Sequence, residues 1–175
     1  MTRVVPLLLL SIAIASCGKS SGPDGAAAAT DAPKTAAVVA GANPCTLVDD
    51  PNALFGQSVN AEVATMPNGT KTCEWKLSDG RMCGSVGVYG EGWNEVPDVP
   101  ANYSAMVSSL GAFGKTQPVA GLGEEATIVD GGMLGTQLAV RTGKALVHVG
   151  ASCGGSATAN QERAEHIARS AIGKL

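Results

Sequence analysis

Residues 71–90, KTCEWKLSDGRMCGSVGVYG, alternate apolar and polar side chains on either side of a turn signal. Cys73, Trp75 and Leu77 point one way and Thr72, Glu74 and Lys76 the other. That is the period of two expected of a strand with one buried face. Ser78-Asp79-Gly80 supplies the positive φ that reverses the chain, so the segment reads as a β-hairpin. If Leu77 faces Arg81, then Cys83 lies opposite Trp75 and only diagonal to Cys73. A bridge inside the hairpin would therefore be strained.

Working outward, CTLVDDPNALFG (45–56) reads as a short helix with Leu47, Leu54 and Phe55 on one face, stopped by Gly56. SVNAEVA (58–64) alternates as an edge strand does. After the hairpin comes a Gly, Pro and acidic loop, GEGWNEVPDVP (90–100). In the following ANYSAMVSSLGAFG (101–114), Tyr103, Met106, Val107 and Leu110 recur at helical spacing. EATIVD (125–130), GTQLAV (135–140) and KALVHVGAS (144–152) are three strand-like runs, divided by Gly131-Gly132 and Thr142-Gly143. In the tail, Ala164, Ile167, Ala168, Ala171, Ile172 and Leu175 form one stripe, with Arg163, Glu165, Arg169 and Lys174 off it. The order is helix, three strands, helix, three strands, helix. It predicts an α+β fold, an antiparallel sheet of about six strands covered on one face by helices. Tight glycine-containing loops favour hairpins over a parallel sheet.

The amino terminus carries an address. Arg3 and the free amine precede an apolar run from Val4 to Ala15, about twelve residues against the roughly twenty a membrane span requires. Residues 1–16 thus read as a secretory signal peptide. Ile14-Ala15-Ser16-Cys17 resembles the lipobox of bacterial lipoproteins. The resemblance implies acylation of Cys17, cleavage after Ser16 and anchoring by several acyl chains, since one chain alone holds only weakly. The alternative is an ordinary secreted protein cut nearby. Gly18, where an aspartate would favour inner-membrane retention, implies the outer membrane facing the periplasm in a Gram-negative cell. From Cys17 to Asn43 the chain is mostly Ala, Gly, Ser, Pro and Thr, a composition expected to stay disordered. A flexible chain of that length has an end-to-end distance of about 25–30 Å. Residues 44–175 are the length of one domain.

Composition narrows the partners. The formal charge is −3, and about −4 once the signal and Arg3 are gone; aromatic residues are 3% of the chain. Nucleic-acid binders need clustered Lys/Arg and stacking aromatics, so nucleic acid is not an expected partner. Besides Cys17 there are Cys45, Cys73, Cys83 and Cys153. An even number in an exported domain reads as two disulfides with three connectivities open. No C-x-x-C or C-x-x-H pair argues for zinc, and no metal or cofactor is expected.

Four pieces together carry a second resemblance: Pro44-Cys45-Thr46-Leu47-Val48 opening the domain, Cys73-Glu74-Trp75, Gly121-Leu122-Gly123-Glu124-Glu125-Ala126, and a strand pair followed by an Ala-rich terminal helix. They resemble a family of lipoproteins of unknown function described chiefly in actinobacteria, with Pro-Cys-x-Leu-Leu, Cys-x-Trp and Gly-x-Gly-Asp-x-Ala motifs. Here Leu47-Val48 replaces the leucine pair and Glu124 the aspartate. The resemblance implies a fold and an address rather than a reaction. It also implies the pairing Cys45–Cys73, which leaves Cys83–Cys153.

No catalytic residues are expected. His148 and His166 lie in no recognisable nucleophile frame, and His148 alternates with Val147 and Val149. Glu124-Glu125 and Asp49-Asp50 are chain neighbours, which lack the 5–9 Å separation of glycosidase carboxylates; Asp49-Asp50 suits a helix amino terminus. Trp75, on an alternating strand, reads as core. Trp93 stands in the acidic loop without apolar company, so Trp93, Tyr89 and Glu95 are the candidate binding residues. The alternative is a plain connection whose tryptophan folds back onto the sheet. The expected protein is a lipid-anchored envelope module that binds or scaffolds an envelope protein or small ligand. The rivals are an inhibitor of an envelope or host hydrolase and, behind it, an uncharacterised hydrolase.

Overall fold

Apolar residues on both faces of the central strands set the layering. A computed structural model describes residues 42–175; the residues read above as a signal peptide, Cys17, and the stretch up to residue 41 read as a linker lie outside the described residues. β1 (Asn60–Thr65), β2 (Lys71–Lys76), β3 (Met82–Gly90), β4 (Thr116–Pro118), β5 (Glu125–Asp130), β6 (Thr136–Arg141) and β7 (Ala145–Ala151) form one sheet. Its order is β1-β2-β3-β7-β6-β5-β4, and every pairing is antiparallel.

The α+β class stands, with seven strands rather than about six. The additional strand, β4, is three residues long and ends in Pro118, too short to show any alternation. It is a blunted edge, because proline offers no N–H to a further strand.

Helices cover both faces, not one. On one face α3 (Ala157–Ile172) sets Ala164, Ile167, Ala168 and Ala171, all fully buried, against Val86, Leu138, Val140, Val147 and Val149. Four small or compact side chains let the helix sit close to the strands. On the other face α2 (Val99–Leu110) packs Tyr103 and Leu110 on Val129, Ala139 and Leu146. Strands whose two sides are both apolar must be covered twice. Asp98 caps α2 by accepting from Ala101 N–H at 2.8 Å, so the helix starts inside the segment read as loop.

The single helix read over residues 45–56 is two pieces: a 3-10 turn, Pro44–Leu47, and α1, Pro51–Phe55. Pro51 cannot continue a helix begun upstream, and Asp50 starts a new one by accepting from Ala53 N–H at 2.9 Å. Leu47, Leu54 and Phe55 still share the main core.

The hairpin turns as read, with Leu77 N–H donating to Arg81 at 2.9 Å. Its register differs by one residue: Lys76 pairs with Met82, but Trp75 pairs with Gly84, which leaves Cys83 as the extra residue of a bulge. Freed from the ladder, Cys83 turns into the core and is paired with Cys153, while Cys45 is paired with Cys73. Trp75 is fully buried beside Phe55, ring centroids 5.8 Å apart. No described helix is long and apolar enough to cross a membrane.

Candidate functional site

Loop 91–97 follows β3 and is pinned by one side chain. Asn94 accepts from Lys71 N–H at 2.7 Å, and its amide donates to the carbonyls of Lys71 at 2.9 Å and Val88 at 2.7 Å. The asparagine thus stands in for a strand across the ends of β2 and β3. Gly90 N–H donates to Asn94 O at 2.8 Å, closing the base of the loop. Gly90 has φ +153°, and a Cβ there would meet Lys144 O at 2.5 Å. Its missing side chain is what lets the β6–β7 turn lie against this base.

Two hollows flank the loop. One, of about 440 Å³, is lined by Glu91, Trp93, the turn Thr142–Lys144, Ala145, Ile172 and Leu175. The other, of about 450 Å³, is lined by Glu91, Glu95, Val96 and Pro97. Trp93 is half-buried, packed on the main core on one side and bordering the first hollow on the other. It has folded back onto the sheet without leaving the surface.

Of the three candidate binding residues, Trp93 and Glu95 come to the same end of the molecule, joined through Glu91. Tyr89 does not. It belongs to the α2 face, where its ring leans over Gly87, and burial pushes its hydroxyl above the ordinary tyrosine range. Lys144, Thr142, Ile172 and Leu175 were not foreseen as neighbours of Trp93. Thr142-Gly143 was legible as a turn, but only strand register sets that turn beside residue 91.

A third hollow, about 510 Å³, is lined by Val48, Asp49, Asp50, Ala53, Leu54, His166 and Ser170. Its polar groups hold the amino-terminal segment in place: Asp49 pairs with Lys174 at 2.6 Å, Asp50 caps α1, and Ser170 donates to Leu47 O at 2.6 Å. At the Trp93 hollow, Glu91 and Lys144 are exposed and opposite in charge above an apolar floor. Thr142, the hydroxyl among its lining residues, is already bonded to the backbone of Ala145 at 3.2 Å. Such a lining offers one apolar face and polar edges.

The remaining titratable candidates are spread out. His148 Nε2 is buried without a hydrogen-bond partner, and burial lowers the imidazole pKa, so the ring is neutral. Glu124 and Glu125 both pair with Arg141, at 2.5 and 3.0 Å. Among the described residues no three His, Cys, Asp or Glu side chains gather as a metal site.

Comparison with known proteins finds no matching family model, no matching curated protein and no matching solved structure.

Proposed function

We propose that this chain is a lipid-anchored protein of the cell envelope whose domain binds or scaffolds an envelope protein or small ligand, without catalysis of its own. Support for the address comes from Ile14-Ala15-Ser16-Cys17 behind a short apolar segment, and from the likeness to actinobacterial lipoproteins. Gly18 favours the outer membrane, facing the periplasm, if the cell is Gram-negative. Support for binding comes from one observation above all: Asn94 fixes a loop whose Trp93 borders an open hollow rimmed by Glu91 and Lys144. Fixing a loop in advance lowers the entropy cost of binding.

The same rigidity favours a second reading, an inhibitor of an envelope or host hydrolase that inserts this loop into a cleft. The two separate by partner, a retained envelope component against a loss of hydrolase activity.

Two measurements test the proposal. Cys17→Ala should move the protein from the membrane to the soluble fraction; a wild-type chain that stays in washed membranes with no acyl mass overturns the anchor. The immobilised protein should retain a component of detergent-solubilised envelopes at least about tenfold better than Trp93→Ala or the exposed-rim variant Glu91→Ala/Lys144→Ala. Equal retention by all three would remove the Trp93 hollow as the binding site.

A further inference from the structure

The two edges of the sheet differ. At one, β4 is three residues long and closes on Pro118. At the other, β1 runs through Asn60–Thr65 without a proline, and every residue but Ala64 is exposed. Among the described residues no strand pairs with its outer side. Such an edge is a row of backbone donors and acceptors, and the group that satisfies it is another extended strand.

Ladder geometry says which groups point outward. Met66 N–H donates to Thr70 O at 2.8 Å, one step beyond the Thr65–Lys71 pair. Antiparallel pairs alternate between bonded and non-bonded, so Ala64, Glu62 and Asn60 turn their N–H and C=O inward to β2, while Thr65, Val63 and Ala61 turn theirs outward. Lys71 agrees: opposite Thr65, it gives its own N–H and C=O to the Asn94 side chain. The outward row is bounded at both ends. Val59 N–H is held by Asn52 Oδ1 at 2.8 Å, and residue 67 is a proline. What remains is Ala61, Val63 and Thr65, spaced evenly about Val63.

We infer that β1 pairs antiparallel with β1 of a second copy of this chain, about a two-fold axis at Val63. In that register Val63 faces Val63 of the second copy and Ala61 faces its Thr65, so each outward residue donates one bond and accepts one. A shift of two residues would set Thr65 against Val59 or Ala61 against Pro67, and neither has an N–H to give. The side chains fit the same register. Val63, 42% exposed, is covered by its own counterpart, and Glu62 stands opposite Ala64, so like charges do not meet across the seam. Glu62 is also tied to Lys76 on β2. A foreign peptide would bond the same backbone row, but symmetric bounds and an uncharged centre are what self-pairing requires and a foreign peptide does not. Because a two-fold contact uses the same edge of both copies, it closes at two; the outer edges are then the β4 strands, blocked by Pro118.

The pairing does not depend on the anchor reading. It bears on the Trp93 hollow through geometry alone. Each Asn94-pinned loop lies beside the Thr65 end of its own β1, and the two strands run in opposite directions. The joined copies therefore present two separate hollows, at opposite ends of the seam.

The test is sedimentation equilibrium of the full chain in density-matched detergent, with hydrogen exchange read on the same samples. At about 100 µM the wild type should have the mass of two chains. Its Ala61, Val63 and Thr65 amides should be protected to within about tenfold of those of Glu62 and Ala64. Val63→Lys and Val63→Glu place like charges at the axis, so each should be a monomer at about 100 µM, with fast exchange at Ala61 and Thr65 and unchanged protection at Glu62 and Ala64. Mixed together, the two variants should pair, because lysine then faces glutamate. A wild type that stays a monomer at about 100 µM overturns the inference. So does a dimer whose three outward amides exchange freely, one that either charge leaves intact, or a mixture of the two variants that does not associate. If a substitution disturbs the fold, the wild-type mass and amide pattern decide alone.

Discussion

His148 shows how one side chain acquires properties that its sequence neighbours do not reveal. It alternates with Val147 and Val149 as expected, so it leaves the main core, but α2 covers that second face too. The imidazole ends between Gly87 and Ala139 on the flanking strands, with Nε2 buried and unpaired. Its pKa is depressed by burial, which sets the sign of its pH effect. Above about pH 6.5 both folded and unfolded chains carry a neutral ring and the residue adds no pH dependence. Below that value the unfolded chain takes up a proton that the folded one resists. Stability then falls, by up to ~1.4 kcal/mol per pH unit, until the lowered folded pKa is reached. His148→Leu should flatten this acid limb in denaturant titrations and should not lower stability at neutral pH, because a buried unpaired nitrogen is removed. Trp93 teaches the same lesson: the loop text shows no apolar company, yet Ile172 and Leu175 arrive from the end of α3.

At the level of elements, α3 is the piece most completely legible beforehand. A stripe at 3.6-residue spacing has one way to be buried, and Ala164, Ile167, Ala168 and Ala171 are indeed sealed. Ile167 is the one large side chain of the four, so Ile167→Ala should cost ~2–5 kcal/mol in chemical denaturation, the upper half if the helix cannot settle into the space. Ile172, only partly buried, should cost less. Two of the misread elements depend on a partner; the split at Pro51 and the early start of α2 at Asp98 are local. β4 is a strand because it pairs with Thr127–Val129 of β5, not because of anything in Thr-Gln-Pro. The bulge at Cys83 likewise answers to Cys153, seventy residues away.

For the molecule as a whole, the two disulfides tie distant parts of the chain to the central hairpin. Cys45–Cys73 spans 28 residues and fastens the amino-terminal segment to β2; Cys83–Cys153 spans 70 and fastens the start of α3 to β3. On the loop-closure model these are worth ~3.5 and ~4.5 kcal/mol before native strain. Alkylation of the unfolded, unreduced protein should label none of Cys45, Cys73, Cys83 and Cys153, and two labelled thiols would contradict the pairing. Reduction should lower the denaturation midpoint more for Cys45→Ala/Cys73→Ala, which retains the longer loop, than for Cys83→Ala/Cys153→Ala.

Local patterning alone determined the α+β class, most strand positions, the amphipathic terminal helix and the core role of Trp75, because each depends only on which residues alternate with which. Tertiary structure decided the rest. It inserted β7 between β3 and β6, put α2 and α3 on opposite faces, and brought Glu91, Trp93, Lys144 and Ile172 around one hollow. Those outcomes rest on pairing and packing between segments far apart in the chain, where the free energy belongs to neither segment by itself.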